Sequence, residues 1–139
     1  MTIAIGITTR NRRTTAEQAI ERWKEYCPEN GHVFVVDDAS EIPYPNADYR
    51  FNEQVGVGRA KNKTLELCHY ADHVFLADDD VRPIAKDWYK YYIESGLNHA
   101  CYTFNRSIVS KEPTYTEYIA PNGCMLYFRK FVIDLVGGW

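Results

Sequence analysis

Short apolar runs alternate with longer amphipathic stretches along this chain, a pattern that predicts strands interleaved with helices. Ile3 to Thr8 is apolar and β-branched, an inner strand that ends in the polar loop Thr-Thr-Arg-Asn-Arg-Arg. Thr14 is followed three residues later by Glu17, which predicts a capping box ahead of a helix. Ala16, Ala19, Ile20, Trp23 and Cys27 then share one face, and Pro28 and Gly31 end the element. His32 to Val36 predicts a second strand that runs straight into Asp37 and Asp38. A loop over 41–47, with Pro43 and Pro45, leads to a short strand candidate from Tyr49 to Phe51. Gly56 and Gly58 introduce a helix with Val57, Ala60, Thr64, Leu67, Cys68 and Ala71 on its apolar side.

Val74 to Ala77 is a buried strand, followed without a break by Asp78, Asp79 and Asp80. Pro83 stands near the start of a predicted helix that carries Trp88, Tyr91, Tyr92 and Ser95 and closes at Gly96. The Trp88, Tyr91, Tyr92 stripe is at helical spacing and reads as core or half-core before it reads as a sugar platform. Ala100 to Phe104 is a further strand, residues 105–116 are polar and irregular, and Pro121-Asn122-Gly123 is a turn. Cys124 to Phe128 predicts a strand and Arg129 to Val136 a short helix before Gly137, Gly138 and Trp139. The order of elements predicts one α/β layered domain over 1–139 with a largely parallel sheet. Ligands of such sheets gather at the carboxyl ends of the strands, where Thr8, Asp37, Asp38 and Asp78 to Asp80 converge.

Composition narrows the function classes. At 139 residues the chain fits one domain, and its net charge of −3 gives no basic field for nucleic acid, since the Lys and Arg residues are scattered. No apolar run approaches membrane-spanning length, and the strand-like N-terminus reaches Arg10 too soon for a signal peptide, so a cytoplasmic protein is expected. Cys27, Cys68, Cys101 and Cys124 lie far apart without a C-x-x-C pair and read as reduced thiols. His32, His69, His73 and His99 show no metal-ligand spacing. Eleven Tyr and three Trp suit a surface that stacks on rings or sugars, although core packing accounts for most of them.

The two acidic strand ends carry the chemistry. Two unit charges about 4 Å apart repel by roughly 4 kcal/mol at an effective dielectric near 20, so converging carboxylates need a cation or a proton. Hard carboxylate oxygens suit Mg²⁺ or Mn²⁺, and Mg²⁺ completes its shell with water and substrate phosphates. The plainer alternative is an acidic surface turn whose side chains splay into water. Backbone N–H groups at the Gly56 helix start can face a phosphate, with Arg59 and Lys61 beside them.

With those residues placed, the chain resembles the nucleotide-binding part of a GT-A-fold glycosyltransferase of the large family 2 type. Ile-Gly-Ile-Thr-Thr-Arg-Asn is similar to that family's first strand and loop, and Val-Val-Asp-Asp-Ala-Ser to its Val-Asp-Asp-Gly-Ser. The segment from Asn52 to Asn62, continuing Lys-Thr-Leu-Glu-Leu, resembles the family's Asn-x-Gly-x-x-x-Ala-Arg-Asn-x-Gly helix, and Phe75-Leu-Ala-Asp-Asp-Asp-Val-x-Pro its Asp-x-Asp metal motif. Gly123 to Trp139 is similar to the segment that ends in Gly-Gly-Phe/Trp. The resemblance implies a Rossmann-like, mostly parallel sheet and transfer of a sugar from a nucleotide-diphosphate donor, UDP-linked, to an acceptor hydroxyl. It implies donor contacts from Thr8, Asp38, Lys61, Asp78 and Asp79, with Asp80 and Asp78 on Mn²⁺ or Mg²⁺. The triple Asp leaves the register open by one, so Asp79 can take either role.

In that family an acidic pair that includes the general base follows the Gly-Gly-Phe/Trp segment, and the sequence ends at Trp139. The resemblance therefore implies a C-terminally short domain with no assigned general base, and a catalytically incomplete nucleotide-sugar binding module stands as the alternative. The acceptor, whether glycan, protein or small molecule, is open, as is a homo-oligomer; Trp139 is an acceptor-site candidate. A sugar-nucleotide pyrophosphorylase needs a Gly-rich loop where Thr9-Arg10-Asn11-Arg12 stands. A receiver domain needs its acidic pair after the first strand, where Thr8 and Thr9 stand.

Overall fold

The side chains of β1 (Ile3–Thr9) alternate between two cores, which fixes the layering of the domain. Ile3, Ile5 and Ile7 enter one cluster with Ala16, Ile20 and Trp23 of α1 (Arg13–Glu25), while Ala4 enters the other with Leu65 and Cys68 of α2 (Val57–Cys68). The computed structural model describes residues 1–104 and 106–138, so the acceptor-site candidate Trp139 lies outside the described residues.

The main sheet has six strands in the order β3-β2-β1-β4-β8-β5. β2 (Gly31–Asp37) and β4 (His73–Asp78) flank β1 in parallel, and β3 (Tyr49–Arg50) adds in parallel to β2. β8 (Met125–Arg129) runs antiparallel to both β4 and β5 (His99–Tyr102). In this register Thr8 faces Val36 on one side and Asp78 on the other, so the three central strands give out at the same level. The predicted α/β layering and mostly parallel sheet are present. No helix among the described residues is long and apolar enough to cross a membrane, and the four cysteines are free thiols.

Gly6 sets the distance between β1 and α2. A Cβ there would run into Thr64 Cγ2 and press on Leu76 and Cys68. The inward face of α2 is Ala60, Thr64, Leu65 and Cys68; Leu67, expected inward, is only half-buried, and Val57 is exposed. Burial pushes the Cys68 thiol up to about 12, so it acts as a small apolar filler.

Other expectations need correction. The capping box at Thr14 does not form, because the N-cap lies two residues earlier, at Arg12, which makes no side-chain cap, and Glu17 accepts instead from Arg13 Nε at 2.8 Å. The Arg12 side chain reaches the acidic strand end described below. The helix expected from Pro83 shrinks to one turn, α3 (Lys90–Ile93). The residues before it fold in turns around an aromatic cluster: Trp88 meets Trp23 edge-on at 4.8 Å and Phe75 at 4.7 Å, and Trp88 Nε1 donates to Tyr26 O at 3.1 Å. Within the polar stretch 105–116 and just after it lies a hairpin, β6 (Ile108–Lys111) with β7 (Thr116–Tyr118), which forms a separate two-stranded sheet. α4 (Lys130–Val136) follows β8 and buries Ile133 against the α2 side.

Candidate functional site

The carboxyl ends of β1, β2 and β4 open into one cavity of about 350 Å³. Thr8, Asp38, Asp78, Asp79 and Asp80 all line it, so the two acidic strand ends, some forty positions apart in sequence, are neighbours in space. Lys61 does not line the cavity, but its Nζ lies 3.0 Å from Asp78 Oδ1. Arg59 is exposed and away from it.

The parallel register divides each acidic cluster into distinct environments. Asp37 is fully buried and accepts from Ser40 N at 2.9 Å, Ser40 Oγ at 2.6 Å and Tyr44 N at 3.0 Å, so it holds the loop after β2 and takes no part in the cavity. Asp38 accepts from Val55 N at 2.7 Å and Gly56 N at 3.1 Å. Those two amides, at the entry to α2, are therefore spent on a carboxylate rather than open to a phosphate. Gly56, at φ 87°, makes the turn that aims them.

The triple Asp is split in the same way. Asp78 is half-exposed beside Lys61. Asp79 is buried and accepts from Thr9 Oγ1 at 2.7 Å. Burial pushes its carboxyl above the ordinary range, against the opposing pull of Thr9 and Arg12. Asp80 is half-exposed at the mouth. Arg12 spans the last two, with Nη1 at 2.9 Å from Asp79 Oδ1 and Nη2 at 2.9 Å from Asp80 Oδ2. The hydrogen bond to Asp80, then the charge of Asp79, hold the guanidinium above its usual value.

Arg10 and Arg12 were missed as site residues by sequence reasoning. The available signal was charge complementarity: three arginines follow a strand whose neighbours both end in carboxylates. Arg10 lines the cavity, and its Nε is buried without a hydrogen-bond partner. An unmatched donor in such a place is costly unless a ligand meets it.

Charge decides what this arrangement can hold. Four carboxylates, Asp38 and Asp78 to Asp80, face three cations, Arg10, Arg12 and Lys61, which leaves a net charge of about −1 at the strand ends. An anionic ligand such as a diphosphate enters a site of that sign readily only with a divalent cation. No group of three or more metal-ligating side chains is gathered among the described residues. The hard-oxygen donors of Asp78 and Asp80 nevertheless fit an ion that takes one or two carboxylates and completes its shell from phosphate and water.

No protein-family model matches the chain, and no curated protein matches it in sequence. Solved structures do match in fold. A mannosyltransferase from Pyrobaculum calidifontis, in complex with GDP-Man and Mn²⁺, superimposes with a TM-score of 0.71 at 16% identity, over 99% of this chain and 47% of that one. TarS from S. aureus (1–349), in complex with UDP-GlcNAc, gives 0.68 at 14% identity over 96% and 47%. The bifunctional glycosyltransferase WbbM gives 0.56 at 11% identity over 96% and 32%. The chain thus spans about half the length of the solved structures it matches first, and it has the GT-A fold common to them.

Proposed function

We propose that the strand-end cavity binds the nucleoside diphosphate of a sugar nucleotide and that the chain serves transfer of that sugar to an acceptor hydroxyl. The observation that carries this reading is the convergence of Thr8, Arg10, Asp38 and Asp78 to Asp80 on one cavity, in a fold shared with glycosyltransferases. The chain's own residues supply binding and orientation. Asp38 has lone pairs left beyond the two amides it accepts, and these suit a base N–H or ribose hydroxyls. Arg10, with its unmatched Nε, suits the anionic part of the donor. Lys61 supplies a point charge behind Asp78.

Asp80 and Asp78 are the residues that would hold Mn²⁺ or Mg²⁺, with Asp79 fixed between them by Thr9 and Arg12. A divalent cation there, when bound, neutralises charge that gathers on the diphosphate leaving group. The acceptor oxygen forms its bond to the anomeric carbon as the bond to the diphosphate breaks, and the hydroxyl proton passes to a general base. Every carboxylate that lines the cavity among the described residues is already tied to an amide, a hydroxyl or a cation. This favours a second reading, a nucleotide-sugar binding module that needs a base from elsewhere. The UDP linkage of the donor follows the motif resemblance, while the solved neighbours carry both GDP and UDP donors.

Calorimetry with UDP, GDP, UDP-GlcNAc and GDP-Man, with and without Mn²⁺, followed by an assay for donor hydrolysis, separates the outcomes. Mn²⁺-dependent binding with hydrolysis supports the transferase, and binding without turnover supports the module. Absence of nucleotide binding in every arm overturns both.

A further inference from the structure

We infer that the acceptor is a neutral glycan chain, held in an aromatic-lined trough that runs from the acidic cavity to the β6–β7 hairpin. The inference rests on the nucleotide-sugar reading of the strand-end cavity and names the acceptor class for that same site. Continuity is the first observation. Asp80 lines both the acidic cavity and a second cavity of about 790 Å³, so the two meet at that side chain. Tyr91, Tyr92 and Tyr102 line that second cavity and also a third, of about 910 Å³, which reaches the hairpin. Single small-molecule sites occupy roughly 300–1,000 Å³, so the two outer cavities together offer more length than a monosaccharide or small-molecule acceptor fills.

The lining chemistry is the second observation. Tyr91 is 72% exposed, Tyr102 47% and Phe104 48%, so three rings stand open to solvent along one path. Next to Tyr91 in the chain, Tyr92 packs against Phe75 at 5.6 Å, and Trp88 is buried in the core. The helical aromatic stripe of the sequence is therefore divided, with two rings in or against the core and one on the rim. The floor of the third cavity carries Ser95, Asn98 and Thr116 and no Lys or Arg. A pyranose has apolar C–H faces and a hydroxylated rim, and it suits a surface where rings alternate with hydroxyl and amide groups. A lipid tail gains nothing from that polar floor. Along the two outer cavities Arg82 is the one Lys or Arg, and the carboxylates Asp80 and Glu117 outnumber it, so a polyanion meets a trough of net negative charge in a chain of net charge −3.

The test uses the whole chain and titrates mannose, N-acetylglucosamine and glucose against mannotetraose, chitotetraose, cellotetraose and maltotetraose. Calorimetry and tryptophan fluorescence give the readout, since Trp23 and Trp88 line the second cavity, and octyl glucoside serves as the apolar control. At least one tetraose is expected to bind about tenfold more tightly than its monomer. Tyr91→Ala and Phe104→Ala, which remove exposed rings and leave the core intact, are each expected to weaken that binding about threefold or more, the size of effect ring stacking supports. Both variants keep wild-type affinity for UDP and GDP.

A response independent of glycan length in all series overturns the inference, as does tighter binding of octyl glucoside than of any tetraose. Concentration-dependent dimerisation that Tyr91→Ala abolishes also overturns it, because the trough then belongs to a second copy of the chain. The donor reading fails separately: loss of all nucleotide binding with retained tetraose binding overturns the donor site and leaves a glycan-binding trough.

Discussion

Lys61 Nζ lies 3.0 Å from Asp78 Oδ1, so the start of α2 reaches across to the last residue of β4. Asp78 is 38% exposed and Lys61 12%, so the pair is screened on the Asp78 side only. Its weight is electrostatic. Lys61→Ala takes the local charge from about −1 to −2 and is expected to weaken UDP or GDP binding about tenfold in EDTA, with much of the loss recovered in Mn²⁺. Calorimetry in both buffers checks this. Equal affinity of variant and wild type under both conditions reduces Lys61 to a structural tie.

Asp80→Ala removes the most exposed carboxylate of the cluster and one partner of Arg12. The Mn²⁺-dependent part of nucleotide binding is expected to vanish, while the thermal midpoint changes by less than roughly 2 °C because the contact is half in solvent. Undiminished Mn²⁺ dependence refutes the metal role of Asp80 and shifts it to Asp78 and Asp79.

Asp79 gives a pH signature. Burial raises its carboxyl above the ordinary value of 3.8, so the folded chain holds that proton more tightly than the unfolded chain. Stability from this group is then fully present below 3.8 and is lost as pH rises through the raised value. Asp79→Asn keeps an acceptor for Thr9 and carries no charge. Its midpoint is expected to lie above wild type at pH 7, with the gap closing toward pH 4. Thermal melts across that range decide the matter; a lower midpoint that is flat with pH means that the Arg12 pair outweighs the burial.

Gly6→Ala is expected to destabilise by about 1–3 kcal/mol, the usual cost of overpacking, since the new methyl collides with Thr64 Cγ2. It also pushes α2, and Lys61 with it, away from Asp78. Paired Gly6→Ala and Thr64→Ser changes remove the severest part of the clash, because Ser keeps the Oγ that donates to Ala60 O at 2.9 Å and lacks the offending methyl. The tight approaches to Leu76 and Cys68 stay, so partial recovery is expected. Denaturant melts of the single and double variants test the contact, and failure of the second change to restore any stability removes it as the cause.

The sequence showed most of the frame and part of the site. β1, β2 and β4 are short apolar runs with nothing else they could be, and the carboxylates at two of their ends follow from the chain alone. Hydrophobic spacing picked Ala60, Thr64 and Cys68 as the inward side of α2, with Ala71 beyond its end, but put Val57 and Leu67 there in place of Leu65, because the close approach at Gly6 rotates the packed face onto Thr64 and Leu65. It could not separate Asp37 from Asp38, which are adjacent in sequence, yet one anchors its own loop and the other reaches the entry to α2. Trp88 and Tyr91 lie three apart on what reads as a continuous helix, but aromatic packing with Trp23 and Phe75 breaks the helix and places one ring inside and one out. Arg12 was hidden for a related reason: its partners lie 67 and 68 positions away, and only the parallel register brings them within reach.

β1 sits between β2 and β4, parallel to both, and parallel neighbours cannot be joined by a tight hairpin. Thr9 must find Asp79 across 70 positions before the cavity has a wall. Contacts of that span form late, after a large loop-closure entropy has been met. The cavity wall is therefore expected to assemble late in refolding, and binding of a nucleotide added during refolding is expected to appear with the final cooperative phase rather than before it.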